Sequence, residues 1–331
     1  MKAIHLCRHA RPDLACECIE VEDPGEPASG EVLVEILASA INPADLLIFE
    51  GRYPGPESLP AAVGIEGVGR VLAVGAGVEG FAPGDKVMSL GRSNWAERIK
   101  VAPDALIRLP AEIEVGQAAM LKANPPSAHL MLQDYVALEP GDWLVQNAAN
   151  SAVGRHLIRF ARARGLHSVN VVRRESLIEE LEAHGADLVL VDGDDLGARV
   201  RERVGAEAAI RLGVDAIGGA ACERLADCLS DGATLVNYGF LSGEPCRVTP
   251  THLIVQGLTL KGFWLLKCMQ ARSRDQVQAL YDEMAQAFID GTLSVPIEAS
   301  YGLDEIAEAL AHANREARGG KILITPNGPL A

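Results

Sequence analysis

The sequence has 331 residues, of which 48% are hydrophobic and 23% are charged, and its formal net charge is −15. A chain of this length exceeds what one hydrophobic core usually organises, so we expect two domains. The acidic balance argues against nucleic acid and an anionic membrane surface as partners, and no apolar run approaches the length that spans a bilayer.

The first part of the chain, up to about residue 120, reads as rich in short β-strands. The runs 31–40 and 69–75 are apolar and partly alternating, as half-buried strands are. Between them, residues 41–55 predict a short helix that ends in a loop rich in Gly and Pro. Turn signals recur at short intervals, at 23–25, 28–30 and 83–85. This pattern predicts a small barrel-like β domain.

From about residue 121 to 262 the pattern changes to alternating strands and helices. Helices are predicted over 176–184 and 220–229. The predicted strand cores are 144–146, 169–172, 188–191, 214–217, 234–237 and 258–261. Six strands in βα alternation predict an α/β fold with a doubly wound parallel sheet.

The remaining residues, 263–331, contain two amphipathic stretches and a last strand. We predict helices over 273–290 and 303–314 and a strand over 321–325. We expect this tail to return to the first domain, which would make that domain discontinuous.

The stretch from Trp143 to Gly154 predicts a cofactor-binding turn. An apolar strand enters a run of small residues, and an amphipathic segment opens after it. The pattern Ala149-x-Ser151-x-x-Gly154 stands in place of G-x-G-x-x-G, in which backbone N–H groups at a helix N-terminus hold a dinucleotide pyrophosphate. An ordinary βα turn is the alternative.

The next strand, 167–172, ends in Arg173, Arg174 and Glu175. A site for NAD places a carboxylate at this strand tip, where this chain has two arginines first. Guanidinium groups suit the extra phosphate of NADP, although a solvated basic turn would look the same. We therefore predict NADPH as the cofactor.

Seven cysteines are scattered along the chain, without paired spacing and without a preceding signal peptide. They predict reduced thiols in a cytoplasmic protein. They are Cys7, Cys16, Cys18, Cys222, Cys228, Cys246 and Cys268.

The order of several short motifs resembles the medium-chain dehydrogenase/reductase superfamily over nearly the whole chain. These motifs are Asn42-Pro-Ala-Asp45, Gly64-Ile-Glu-Gly-Val-Gly69, Pro83-Gly-Asp-Lys-Val87 and Gly319-Gly-Lys-Ile322. The resemblance implies a GroES-like catalytic domain over 1–120 and 263–331, and a Rossmann NADPH-binding domain over 121–262.

Zinc ligands of that superfamily are replaced in this sequence. By the resemblance, the catalytic cysteine position is Asn42 and the histidine position is Ile65. Neither residue supplies a soft or imidazole donor to a tetrahedral zinc. We therefore predict an enzyme that binds no metal.

Two zinc-free branches remain, the quinone oxidoreductases and the 2-enoyl thioester reductases. The segments 123–125, 146–154, 170–173 and 262–265 resemble the mitochondrial-type trans-2-enoyl-CoA/acyl-carrier-protein reductases. The resemblance implies NADPH-dependent reduction of the C2=C3 bond of an enoyl thioester. An NADPH:quinone oxidoreductase is the alternative, and a non-catalytic NADPH-binding protein is a further one.

The resemblance also implies the site residues. Tyr53 would donate the proton and contact substrate, and Trp264 would wall the acyl pocket, although a packed loop tyrosine and a core tryptophan are alternatives for the two. Lys321 would lie near the adenosine phosphate, although it could equally be solvated. Glu175 departs from the family, which tends to have a basic residue there. The predicted cofactor-binding residues are Asn124, Asn150, Ser151, Ala152, Val153, Gly154, Arg173, Arg174, Tyr238, Gly239, Phe240, Leu241, Phe263, Trp264, Leu265 and Lys321.

Two partners are considered besides the small substrate. The family commonly dimerises through a sheet edge, which 258–263 would supply here, so a homodimer is expected. An acyl-carrier protein is a second candidate partner. Arg155, Arg159 and Arg162 form one helical face that could dock an acidic carrier, but a solvated stripe is the favoured interpretation.

Overall fold

The computed structural model describes residues 1–205, 207–316 and 318–330. The strands found there are β1 (Lys2–Leu6), β2 (Cys16–Glu20), β3 (Val32–Ala40), β4 (Ala61–Ala62), β5 (Val68–Val74), β6 (Lys86–Ser89), β7 (Arg98–Val101), β8 (Leu106–Arg108), β9 (Trp143–Gln146), β10 (His167–Val172), β11 (Leu188–Val191), β12 (Ile210–Asp215), β13 (Thr234–Asn237), β14 (Thr259–Gly262), β15 (Ile297–Tyr301) and β16 (Lys321–Ile324). The α-helices are α1 (Pro12–Ala15), α2 (Pro43–Phe49), α3 (Val115–Ala118), α4 (Asn124–Asp134), α5 (Ala152–Ala163), α6 (Ile178–His184), α7 (Leu196–Val204), α8 (Gly219–Ala226), α9 (Leu265–Gln270), α10 (Arg274–Ile289) and α11 (Ile306–Ala313).

The chain forms two compact units. Unit 1 consists of Met1–Ala123 and Arg272–Ala331, and unit 2 consists of Asn124–Ala271. The chain therefore leaves unit 1 once and returns to it. The short helix α9, which was not predicted, belongs to unit 2.

Unit 1 is built on a sheet with the order β15-β16-β3-β5-β6-β8, and β7 also pairs with β3. A smaller sheet has the order β2-β1-β4. Strand β3 pairs antiparallel with β5, β7 and β16, so it connects the early strands to the returning tail. Its apolar residues Val32, Val34 and Ile36 are buried in a core with Val71 and Val87. The β-rich first domain thus follows from half-buried apolar strands.

Helix α2 in unit 1 has a start that its sequence encodes. Asn42 is the N-cap, Pro43 stands at the first helical position, and the Asp45 side chain completes a capping box. Phe49 at the other end of the helix packs edge-on against Trp95, with ring centroids 5.6 Å apart. The helix is therefore fixed at both ends, and Tyr53 follows it in the chain.

Unit 2 is a six-stranded parallel sheet with the order β11-β10-β9-β12-β13-β14. Renumbered from its first strand, this order is 3-2-1-4-5-6, that of a doubly wound dinucleotide-binding fold. The predicted fold class is therefore confirmed. The predicted strands 144–146, 188–191 and 234–237 lie within the observed ones.

One predicted strand, 214–217, is displaced. The observed β12 ends at Asp215. The Asp215 carboxylate accepts hydrogen bonds from the backbone N–H groups of Ile217 and Gly218, which turns the chain toward α8. The strand stops there because a side chain replaces the next sheet partner.

The described residues contain no helix that is both long and apolar enough to cross a membrane. The seven cysteines are all free thiols.

Candidate active site

The predicted cofactor turn of unit 2 connects β9 to α5. Ser151 is the N-cap of α5, and its hydroxyl accepts a hydrogen bond from the Gly154 N–H at 3.1 Å. Ala148 takes a positive φ of 49°, which bends the chain sharply after the strand. The first N–H groups of a helix have no acceptor within that helix, so this turn offers an anion-binding N-terminus.

Gly154 is required by the close packing of α5 on the turn. A Cβ atom at this position would lie 2.5 Å from the carbonyl oxygen of Ala149 and 2.7 Å from its Cα atom. The Gln146 amide donates to the Gly154 carbonyl at 2.9 Å and to the Asn170 side chain at 2.7 Å. The one glycine that this sequence keeps from the usual fingerprint is therefore the one that lets helix and strand approach.

A polar network that was not predicted lies at the carboxyl ends of three strands. The Asp215 carboxylate accepts hydrogen bonds from the side-chain amides of Asn147 at 2.6 Å and Asn237 at 2.8 Å. These residues end or directly follow β12, β9 and β13, so the network holds three strand ends at one sheet edge. In the sequence, a polar residue stands at the end of each of these apolar runs, and this pattern could have predicted the network.

Asp215, Cys222 and Cys246 are the one group of metal-capable residues found within the described ranges, with ligand atoms within 4.8 Å of one another. Asp215 already accepts the bonds of Asn147, Asn237 and Gly218. The network therefore explains this carboxylate without an ion.

Tyr238 and Gly239 follow β13 at the same sheet edge as the turn. Burial raises the pKa of the Tyr238 phenol, and a hydrogen bond with the Ser151 side chain opposes that rise. A Cβ atom on Gly239 would lie 2.7 Å from the Ala216 carbonyl oxygen. The structure thus brings two segments with predicted cofactor residues into contact. Phe240 is half-buried, and Leu241 is 54% exposed.

The predicted segment Phe263–Trp264–Leu265 follows β14, the last strand of the sheet. The Phe263 N–H donates to the Asn237 carbonyl at 2.9 Å, and the Phe263 side chain is buried. Trp264 is the N-cap of α9 and is 36% exposed. Trp264 is therefore not buried in the core of unit 2, and the alternative that it is a core tryptophan is wrong.

Arg173 and Arg174 directly follow β10 and are exposed, as is Glu175. They lie beyond the carboxyl end of the strand beside β9, the place where the fold family binds the adenosine ribose.

Asn124 is the first residue of α4 and is buried. Asn150 precedes the N-cap, and its carbonyl accepts from Arg155 at 3.2 Å. Arg155 itself is 8% exposed, so the proposed basic face of α5 is not a uniformly solvated stripe.

Tyr53 lies in unit 1, in the loop after α2. It is half-buried and packs against a core cluster that includes Phe49 and Trp95. A pocket of about 200 Å³ adjoins this loop. It is lined by Asp45, Ile48, Phe49, Gly55, Pro56, Ala62, Val63, Gly64, Ile65, Arg92 and Ser93.

A buried cluster of charged side chains stands at the base of α2. The Asn42 amide donates to the Glu66 carboxylate at 2.5 Å, and the Lys321 ammonium donates to the Asn42 side-chain oxygen. Glu66 also accepts from the Ala123 N–H at 3.0 Å, and Asp45 accepts from the N–H groups of Asn42 and Ile65. This cluster was not predicted, because its members come from segments that are distant in sequence.

Burial dominates the acid–base behaviour of the cluster. It raises the pKa of Asp45 to about 7 and also raises the pKa of Glu66, against the attraction of the Lys321 ammonium. It lowers the pKa of Lys321 to about 8. Lys321 is buried, so the alternative that it is solvated is wrong. Its contact with an adenosine phosphate stays a prediction.

Lys122 is a second buried ammonium beside this cluster. It donates to the carbonyl oxygens of Ile65 at 2.6 Å, Leu90 at 2.8 Å and Gly91 at 2.6 Å. Burial lowers its pKa to about 8, against the attraction of Glu66. Three carbonyls satisfy the three N–H bonds of the ammonium, which is how a charge is tolerated here.

The residues at the family's zinc position do not fit a zinc ion. The Asn42 amide is engaged on both sides, by Glu66 and by Lys321. Ile65 offers an alkyl side chain, which coordinates no metal. The polar side chain at this position, Asn42, is therefore already hydrogen-bonded to a carboxylate and to an ammonium group.

Comparison with known proteins gives the family. The alcohol dehydrogenase GroES-like domain matches residues 28–111, and the zinc-binding dehydrogenase family matches residues 152–286. Mitochondrial enoyl-[acyl-carrier-protein] reductases from Dictyostelium discoideum and Homo sapiens are 31% and 33% identical over 331 residues. Each alignment covers 98% of this chain, with 94% of the first relative and 88% of the second.

The chain belongs to the enoyl-[acyl-carrier-protein] reductase family of medium-chain dehydrogenases/reductases. The family resemblance seen in the sequence is thereby confirmed, and the chain is an oxidoreductase. The structure of Escherichia coli quinone oxidoreductase complexed with NADPH is also similar, with a TM-score of 0.89 and 26% identity. That likeness covers 98% of this chain and 100% of the other.

Proposed function

We propose that this reductase uses NADPH to reduce the C2=C3 double bond of 2-enoyl thioesters carried on CoA or acyl-carrier protein. The observation that carries the proposal is its likeness, over 98% of the chain, to proteins named enoyl-[acyl-carrier-protein] reductases. The turn at Ser151 and the arginines after β10 support a phosphorylated dinucleotide.

In this proposal, some residues bind the cofactor and another transfers a proton. When bound, NADPH supplies the hydride that reaches Cβ. The N-terminus of α5, from Ser151 to Gly154, would hold the pyrophosphate, and Arg173 and Arg174 would hold the 2′-phosphate. Tyr53 would deliver a proton from its phenol to Cα, since a weak acid suits this step without a metal.

An NADPH:quinone oxidoreductase is the second candidate. The likeness to the Escherichia coli quinone oxidoreductase favours it, because that structure matches the whole fold at 26% identity. A non-catalytic NADPH-binding role is the weaker third candidate, since the chain keeps Tyr53 in a loop whose Gly55 and Pro56 line a pocket.

An assay of NADPH oxidation separates these functions. Purified protein is given crotonyl-CoA, hexenoyl-CoA or a naphthoquinone at matched concentrations. We expect turnover with the thioesters. Turnover with the quinone alone would show that the second candidate is correct, and NADPH binding without reduction of any acceptor would support the third.

A homodimer and a cytoplasmic location complete the proposal. Strand β14 is the last strand of its sheet, and Leu253, Ile254 and Val255 just before it are 47%, 80% and 75% exposed. An exposed apolar segment beside an open strand edge suits a second copy of the chain. Light scattering of the purified protein tests this, and a monomer mass would reject it. Seven free thiols support a reducing compartment.

A further inference from the structure

The pocket beside the Tyr53 loop has apolar walls. Ile48 and Phe49 come from α2, and Val63 and Ile65 come from the segment before β5. Its volume of about 200 Å³ lies below the range of about 300–1,000 Å³ typical of drug-sized ligands. The pocket therefore suits a short apolar chain, and Trp264, which was expected to wall an acyl pocket, does not line it.

Arg92 is the basic residue in the lining of this pocket. Its side chain is exposed, and it donates to the Pro54 carbonyl oxygen at 3.5 Å, the limit of a hydrogen bond. Within residues 1–205, 207–316 and 318–330, no ion pair neutralises it, whereas arginines such as Arg70 and Arg98 each contact a carboxylate. In a chain of net charge −15, an arginine left without a carboxylate is available to an anionic group.

The electrostatic surroundings of the pocket favour negative charge. Arg92 is close enough to the buried Lys122 to lower the pKa of that ammonium further. Asp45, the carboxyl group in the lining, has its pKa raised to about 7 by burial, and its oxygens accept from Asn42 and Ile65. This lining acid thus offsets the positive potential only in part.

Arg92 lines the pocket and contacts the loop that carries Tyr53. Pro54, whose carbonyl contacts Arg92, follows Tyr53 directly, and Gly55 and Pro56 of the same loop line the pocket. A Cβ atom on Gly55 would lie 2.7 Å from Ile48, so this glycine lets the loop close against α2. The Arg92 guanidinium therefore contacts the backbone of the residue that directly follows Tyr53.

We propose that the pocket holds the acyl chain and that Arg92 binds the thioester carbonyl oxygen. This inference rests on the proposed function. Hydride addition at Cβ pushes the C2=C3 electron pair toward the carbonyl, which gives an enolate with its negative charge on that oxygen. The enolate then collapses as Cα takes the proton from Tyr53 and the C=O bond re-forms. Arg92 donates N–H bonds to the oxygen that gains charge, which lowers the barrier.

The test compares Arg92→Gln, Arg92→Lys and the control Arg108→Gln, an exposed arginine of β8 outside this pocket. With crotonyl-CoA, Arg92→Gln should lower kcat by about 10-fold or more. The loss should be smaller than that from removing a fully buried donor, because solvent screens this group. Arg92→Lys should restore part of the loss. The KM for NADPH and the thermal unfolding midpoint should not change. If Arg92 had a merely structural role, its loss would alter them.

The outcomes are distinct. If wild type turns over crotonyl-CoA and Arg92→Gln matches it in kcat and KM, this inference is overturned and the proposed function stands. If wild type reduces no enoyl thioester, the proposed function fails and takes this inference with it. A loss shared equally by Arg108→Gln would show a general charge effect and would also overturn the role of Arg92.

Discussion

Asn42 donates a side-chain hydrogen bond to the carboxylate of Glu66 at 2.5 Å, and both residues are buried. The Lys321 ammonium donates to the same Asn42 side chain from the other side. With Asp45 and Lys122 close by, two carboxyl groups face two ammonium groups inside unit 1. The start of α2 is thereby tied to β16 and to the segment before β5 by hydrogen bonds among buried polar side chains.

Replacing Glu66 by Gln should destabilise the protein strongly. Two buried ammonium groups would then face one carboxyl group, and removing one member of a buried pair costs about 3–5 kcal/mol. Urea denaturation measures the change in the free energy of unfolding. The second substitution Lys321→Met should recover part of the loss, because it removes the ammonium left without its partner. Strictly additive losses would contradict a coupled cluster.

Asp45 should make stability depend on pH. Its pKa is raised by burial to about 7, whereas an unfolded Asp titrates near pH ~3.9. Below that lower value the carboxyl group is neutral in both states. As pH rises toward 7, only the unfolded state gains its ionisation, so stability falls by about 1.4 kcal/mol per pH unit at most.

The matched variant Asp45→Asn lacks this titration, while the other groups of the cluster remain. The free energy of unfolding of wild type relative to the variant should therefore fall as pH rises from about 4 to 7. The measurement is urea denaturation of both proteins across that range. A difference that stays constant with pH would show that Asp45 is ionised in the folded protein throughout.

The sheet of unit 2 could be predicted closely because its strands are continuous apolar runs, and parallel strands buried on both faces require such runs. The prediction of 214–217 missed by several residues, since the Asp215 side chain ends β12 through its own bonds to the backbone. Local pattern does not show where a side chain replaces a strand partner.

The charged cluster could not be predicted in the same way. Glu66, Lys122 and Lys321 lie far apart in sequence, and each alone looks like a surface residue. Their burial depends on mutual pairing, which exists only in the folded chain. Gly154, in contrast, was identified from sequence, because the close approach that requires it is local to one turn.

Exchanging both Arg173 and Arg174 for Ala should weaken NADPH selectively. The guanidinium groups would contact the 2′-phosphate, which NADH lacks. We expect the Kd for NADPH to rise by about 100-fold, as for the loss of two charge-assisted contacts, and the Kd for NADH to change little. Fluorescence titration with both cofactors measures this. Equal weakening for the two would place the arginines elsewhere.

Replacing Tyr53 by Phe should slow thioester reduction by about 100-fold or more, since a positioned proton donor contributes on that order. NADPH binding should be preserved. Tyr301→Phe is the control. It removes another phenol of unit 1, which contacts His312 at 2.8 Å and does not line the pocket. Full activity in the Tyr53 variant would mean that the proton reaches Cα from another group.

The most direct test follows the hydride itself. Crotonyl-CoA is reduced with NADPH that carries deuterium at the transferable C4 position, and the butyryl-CoA formed is analysed by mass spectrometry and NMR. The account predicts one deuterium at Cβ and a solvent-derived hydrogen at Cα. Deuterium at Cα, or a product without deuterium, would contradict it.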